Sequence, residues 1–162
     1  MEFDSWTRDE RAVAWVYGST LVGAAVVVSA GVVASEPGQV PLYTAATMVV
    51  VWLAHSYAAF VGHGGRVHLT GLASRIHIAM SSELPVLASA TPTLVALAIA
   101  WLAGAGVNTT GWAGLATAIA VMSAVTAREA RQSGAGTLGV VAAAVTALVI
   151  GVLLVAAKVA LK

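Results

Sequence analysis

The chain has 162 residues, 59% of them hydrophobic and 9% charged, with a mean hydropathy of +0.91. A soluble domain carries about 25% charged residues, so a chain this poor in charge is solvated by lipid more readily than by water. A net charge of +1 with no basic stripe excludes a nucleic-acid footprint, and the absence of cysteine excludes disulfides, thiolate metal sites and cysteine nucleophiles.

Charges punctuate the sequence and delimit the predicted spans. The opening residues carry Glu2, Asp4, Asp9 and Glu10 beside Arg8 and Arg11, which is the wrong charge for the start of a secretory signal. The uncharged interval Ala12–Ser35 is therefore read as an uncleaved first span, about the 20 residues a bilayer needs. Glu36-Pro37-Gly38 breaks it. The second span runs from Pro41 to Val61 and stops at the glycine-rich stretch His63 to Arg66.

Residues 67–80 place Leu69, Leu72, Ile76, Ala79 and Met80 at helical spacing, which reads either as a short interfacial helix or as a linker collapsed onto the bundle. Ser81 or Ser82 is then placed to cap the third span, Leu84–Leu102, whose Pro85 falls in the first turn where a missing N–H does no harm. The stretch Ala103–Gly111 reads as a turn. The fourth span is Trp112–Ala127 and the fifth Thr137–Ala157. The expected fold class is all-α: a transmembrane helical bundle of five spans in one membrane domain.

Arginine placement orients it. With the N-terminus inside, all six arginines (Arg8, Arg11, Arg66, Arg75, Arg128, Arg131) are cytoplasmic, and only Lys158 and Lys162 lie outside. Tyr43, Trp101 and Trp112 then form an outer aromatic belt, with Trp6, Trp15 and Phe60 towards the inner one. The expected location is a bacterial plasma membrane, with the lipid bilayer as first partner.

Lipid gives helices no hydrophobic reason to meet, so small residues mark contact faces. Gly139, Ala143, Ala147 and Gly151 form such a stripe on the fifth span, and Ser19 and Gly23 a shorter one on the first. The partner of the long stripe is either this chain, a second copy, or another membrane protein.

One titratable group interrupts the apolar runs. His55 shares a helical face with Trp52, Ser56 and Ala59, while Tyr57 points elsewhere. An ionisable side chain inside a span is costly to bury and marks a candidate functional site. Counted from Val61, His55 lies about 9 Å inside the inner boundary; counted from Leu84, Ser89 lies about 7.5 Å inside it. That count puts His55 level with the polar break around Pro92, where Ser89, Thr91 and Thr93 can satisfy the backbone group that the proline leaves unbonded. Glu83 stands at the mouth of the third span. A neutral histidine bonded to a neighbouring helix is the structural counterpart of this reading.

Metal ligation and hydrolytic chemistry find no support. His55, His63, His68 and His77 lack ligand spacing, and no phosphate-binding loop, dinucleotide fingerprint, nucleophile elbow or carboxylate pair appears. No cofactor and no enzyme activity are expected.

The strings "RAVAWVYGSTLVGAA", "VVWLAHSYA", "SSELPVLASATP" and "ALVIGVLLVAAKVALK" together resemble a group of small, alanine- and valine-rich integral membrane proteins of actinobacterial type without an assigned function. The most specific element is W-L-A-H-x-Y, Trp52 to Tyr57. The resemblance implies that bundle and His55 belong together and supplies no activity. Two functions follow as expectations: passage of a small ion or solute with His55 as the titratable element, or an accessory subunit that binds other membrane proteins through its small-residue faces.

Overall fold

The computed structural model describes residues 8–62 and 72–160. Those residues are helical throughout apart from short turns. In order they form α1 (Arg8–Val28), a π-helical turn (Ser29–Val33), α2 (Gln39–Gly62), α3 (Leu72–Ser82), α4 (Leu84–Ser89), α5 (Thr91–Leu102), α6 (Val107–Gln132) and α7 (Thr137–Ala160). Among the described residues four helices are long and apolar enough to cross a membrane: Ala12–Val33, α2, α6 and α7. The pair Ile76–Ser89 and Thr91–Leu102, bent by 46°, passes the same test together and makes a fifth where it crosses as one broken span. The fold is all-α, with four to five helices fit to span a membrane.

The helices alternate in direction. One end of the bundle collects the start of α1, the end of α6 with Arg128 and Arg131, and the start of α7; we call it the arginine end. The lysine end collects the π-helical turn, the start of α6 and Lys158 near the end of α7.

α1 and α6 form the centre. α1 packs on α6, α4, α2 and α7, and α6 also on α5 and α7. Glycine permits the closest approaches. A Cβ on Gly114 would lie 2.5 Å from Leu97 and 3.3 Å from Val26, and one on Gly18 would overlap the Ser89 hydroxyl and stand 2.8 Å from the Val86 carbonyl. Two apolar layers result. Val22, Met48, Ala90 and Ala118 form one; Val26, Val27, Val40, Leu97 and Leu115 form the other, nearer the lysine end.

α5 and α6 end in the same way. The Ala105 N–H reaches the Ala100 carbonyl (3.0 Å) and the Gly104 N–H reaches Trp101 (2.9 Å); Ala135 reaches Ala130 (3.1 Å) and Gly134 reaches Arg131 (3.3 Å). Both are Schellman motifs, and each requires the left-handed backbone that Gly104 (φ 79°) and Gly134 (φ 74°) adopt. The repeated Gly-Ala-Gly of the sequence is thus one turn used twice.

Several boundaries differ from the charge-free intervals. The turn expected over Ala103–Gly111 closes by Gly106, and α6 spans Val107–Gln132 instead of Trp112–Ala127. An uncharged interval delimits the apolar part of a helix, whereas its backbone hydrogen bonds continue through Asn108 at one end and Arg131 at the other. Of the expected interfacial helix, residues 67–71 lie outside the described part. The remainder, α3, runs on through Glu83 into α4, so that Ile76–Ser89 makes one arm of the broken third span. Ser81 and Ser82 cap nothing in α4; their hydroxyls donate back to Ile78 (3.0 Å) and Ala79 (2.9 Å) and close α3. Tyr43, Trp101 and Trp112 all stand at the lysine end, and Trp15 and Phe60 at the other. Trp6 is outside the described residues.

Candidate functional site

α2 presents the face its spacing predicts. Trp52, His55, Ser56 and Ala59 turn inward while Leu53, Ala54, Tyr57 and Ala58 are exposed. The Trp52 indole N–H donates to the Met80 carbonyl at the end of α3 (3.3 Å). Ser56 is buried, and its hydroxyl has no hydrogen-bond partner.

His55 is half-buried. Its Nδ1 lies 3.0 Å from the Val51 carbonyl of its own helix, and its ring packs against Tyr17 of α1, centroids 5.4 Å apart and tilted by 55°. A carbonyl oxygen only accepts, so this contact is a hydrogen bond when Nδ1 carries a proton.

Ser89 does not meet His55. Its hydroxyl donates to Val86 (2.6 Å), and its side chain fills the space over Gly18. The two stand against neighbouring positions of α1, His55 on Tyr17 and Ser89 on Gly18, but no hydrogen bond joins them: the Ser89 hydroxyl is engaged with Val86 and His55 Nδ1 lies on the Val51 carbonyl.

The break around Pro92 is present, with Ala90 at the joint and Pro92 in the first turn of α5. No serine or threonine hydroxyl satisfies the Ala88 carbonyl: Ser89 is engaged with Val86, Thr91 is exposed, and the buried Thr93 hydroxyl has no hydrogen-bond partner. Glu83 occupies the N-cap position of α4, but its side chain makes no capping bond.

The small-residue faces pack within this chain over part of their length. Ser19 is buried and donates to the Trp15 carbonyl (2.7 Å). A Cβ on Gly23 would lie 2.9 Å from Leu154, and one on Gly151 3.0 Å from Ile119. Ala147 is buried, whereas Ala143 borders a groove and Gly139 meets only Ala135. Among the described residues no three histidine, aspartate or glutamate side chains gather as metal ligands; His63 and His68 lie outside them.

Sequence reasoning missed Lys158. It is 1% exposed, with its ammonium 5.2 Å from the Trp112 ring centroid and against the bare backbone of Gly111. The signal available was Gly111 beside Trp112 at the end of α6 that faces the end of α7. Tyr17 was missed as well, although it lies on the side of α1 that an antiparallel α2 must pass.

Fold and site together define an all-α bundle whose helices suit a membrane, with His55 set against Tyr17 at the α1–α2 interface. Comparison with protein-family models, with curated proteins and with solved structures gives no match for this chain.

Proposed function

We propose that this protein is an integral protein of the bacterial plasma membrane that passes a small ion or solute, with His55 as its proton-binding element. The observation that carries this reading is the half-buried His55 ring inside an otherwise apolar span, packed against Tyr17 of α1 with Nδ1 on the Val51 carbonyl. Histidine is the side chain whose charge ordinarily changes near physiological pH.

In this reading the packed layer Val22, Met48, Ala90 and Ala118 is the seal of the path. Ala90 belongs both to that layer and to the 46° joint. A change in the bend moves a residue of the seal, which makes the third span the natural gate.

Purified protein in liposomes tests the reading. Proton or small-ion flux should vary with pH, and His55→Gln, which keeps hydrogen bonding but cannot titrate in this range, should flatten that response in a folded protein. An unchanged pH–flux curve would sink it. No flux at all, together with a stable co-purifying membrane protein, would favour the accessory-subunit reading instead.

A further inference from the structure

α7 meets the bundle over only part of its length. Towards the lysine end Ala147 and Gly151 are buried and Leu154 reaches Gly23. Towards the arginine end α7 stands off from α1. The wedge between α1, α6 and α7 is a groove of about 680 Å³, within the size range of small-molecule sites. Its walls are mostly apolar, with Val13 and Val16 on one side and Ala143 on the other.

The polar groups in it are of one kind. Thr20 donates its hydroxyl proton to the Val16 carbonyl (2.9 Å), Thr126 to Met122 (2.7 Å) and Ser133 to Ala130 (3.0 Å). A hydroxyl whose proton is engaged offers only lone pairs to a ligand. Glu129 adds a half-buried carboxylate, while Arg128 and Arg131 are exposed on other faces of α6 and do not line the groove. Apart from the Tyr17 hydroxyl, the described residues of the groove thus present acceptors and one carboxylate along an apolar trough.

We infer that this groove binds an alkylammonium amphiphile, its chain along α1 and α7 and its N–H-bearing head on Glu129. A cationic head with N–H donors complements acceptors and a carboxylate, whereas a zwitterionic phospholipid would bring its phosphate against Glu129. The inference does not rest on the passage reading, since no step of it uses His55.

The protein in phosphatidylcholine nanodiscs, titrated calorimetrically with octylammonium, octyltrimethylammonium and octanol against empty nanodiscs, tests it. Octylammonium should bind saturably and about tenfold more tightly than octanol, as a charge-assisted hydrogen bond implies. The trimethyl analogue, which has charge but no N–H, should fall between. Glu129→Gln should erase the preference, and Ala143→Trp should fill the trough and abolish saturable binding of all three. Glu129→Gln alters a half-exposed position and remains informative if Ala143→Trp fails to fold. Equal binding of octylammonium and octanol, or an unchanged preference in Glu129→Gln, would overturn the proposal and leave a groove filled by lipid chains.

Discussion

The ammonium of Lys158 lies 5.2 Å from the centroid of the Trp112 ring, in a site where the lysine is 1% exposed. Gly111 makes room for it: a Cβ there would collide with the ammonium and lie 2.5 Å from Ala30 of the π-helical turn. The end of α7 is thereby tied to the start of α6 and the end of α1. A desolvated cation–π contact is worth about 2 kcal/mol. Trp112→Leu should therefore lower thermal stability in detergent, measured by loss of the monodisperse chromatographic peak after heating. Lys158→Met added to it should cost less than the sum of the two single changes, because the two side chains share one contact. Strictly additive losses would show that the ring does not hold the lysine.

Gly18 and Ser89 define the contact of α1 with α4. The overlap of an added Cβ with the Ser89 hydroxyl, and its 2.8 Å approach to the Val86 carbonyl, make Gly18→Ala an overpacking change costing about 1–3 kcal/mol. Ser89→Ala should restore only part of this, since the backbone carbonyl remains. Thermal unfolding of the three variants checks the order. A neutral Gly18→Ala would mean that the two helices separate freely.

The two faces of α7 carry different expectations. Gly151→Leu should destabilise the protein, because Ile119 stands 3.0 Å from the first added atom. Val149→Leu, at an exposed position on the other side of α7, should be tolerated. Equal behaviour of Gly151→Leu and Val149→Leu would remove the distinction between the packed and open faces of α7.

What could be read from the sequence follows from periodicity. The inward face of α2 and the stripe on α7 depend on local helical geometry, so Trp52, His55, Ser56, Ala147 and Gly151 could be assigned without a partner. Depth and pairing could not. The helical arm that leads into the third span starts before Leu84, at Ile76, and this is hidden because Arg75 and Glu83 interrupt the uncharged interval. Lys158 resembled the charged end of a span, where long side chains ordinarily reach water. Its burial depends on the open backbone at Gly111 and the ring of Trp112, a feature of another helix. Glu129 lay in a charged turn, and only the splay of α7 turns it into the wall of a groove.

Orientation is testable because the chain contains no cysteine. The arginine excess predicts that the arginine end is cytoplasmic. A single cysteine at Gly134, in the turn between α6 and α7, should be labelled by an impermeant maleimide only in inside-out vesicles, and one at Gly104 only in right-side-out vesicles. Labelling of both from the same side would refute the crossing of α6.

The bend at Ala90 is the most direct handle on the proposed gate. Pro92 supplies no N–H to the Ala88 carbonyl, and no neighbouring hydroxyl compensates. Alanine at this position restores the missing donor and favours a straight helix. The arms Ile76–Ser89 and Thr91–Leu102 are about 21 and 18 Å long at 1.5 Å per residue. Joined at 46° they span about 36 Å, against about 39 Å when collinear. Spin labels at Ile76 and Leu102, both exposed, should therefore report a distance about 3 Å longer in Pro92→Ala. Straightening withdraws Ala90 from Val22, Met48 and Ala118, so the same variant should leak in the liposome assay independently of pH. A longer distance without a change in flux would place the seal elsewhere, and an unchanged distance would assign the bend to packing of Ala90 against α1, α2 and α6 instead of to the proline.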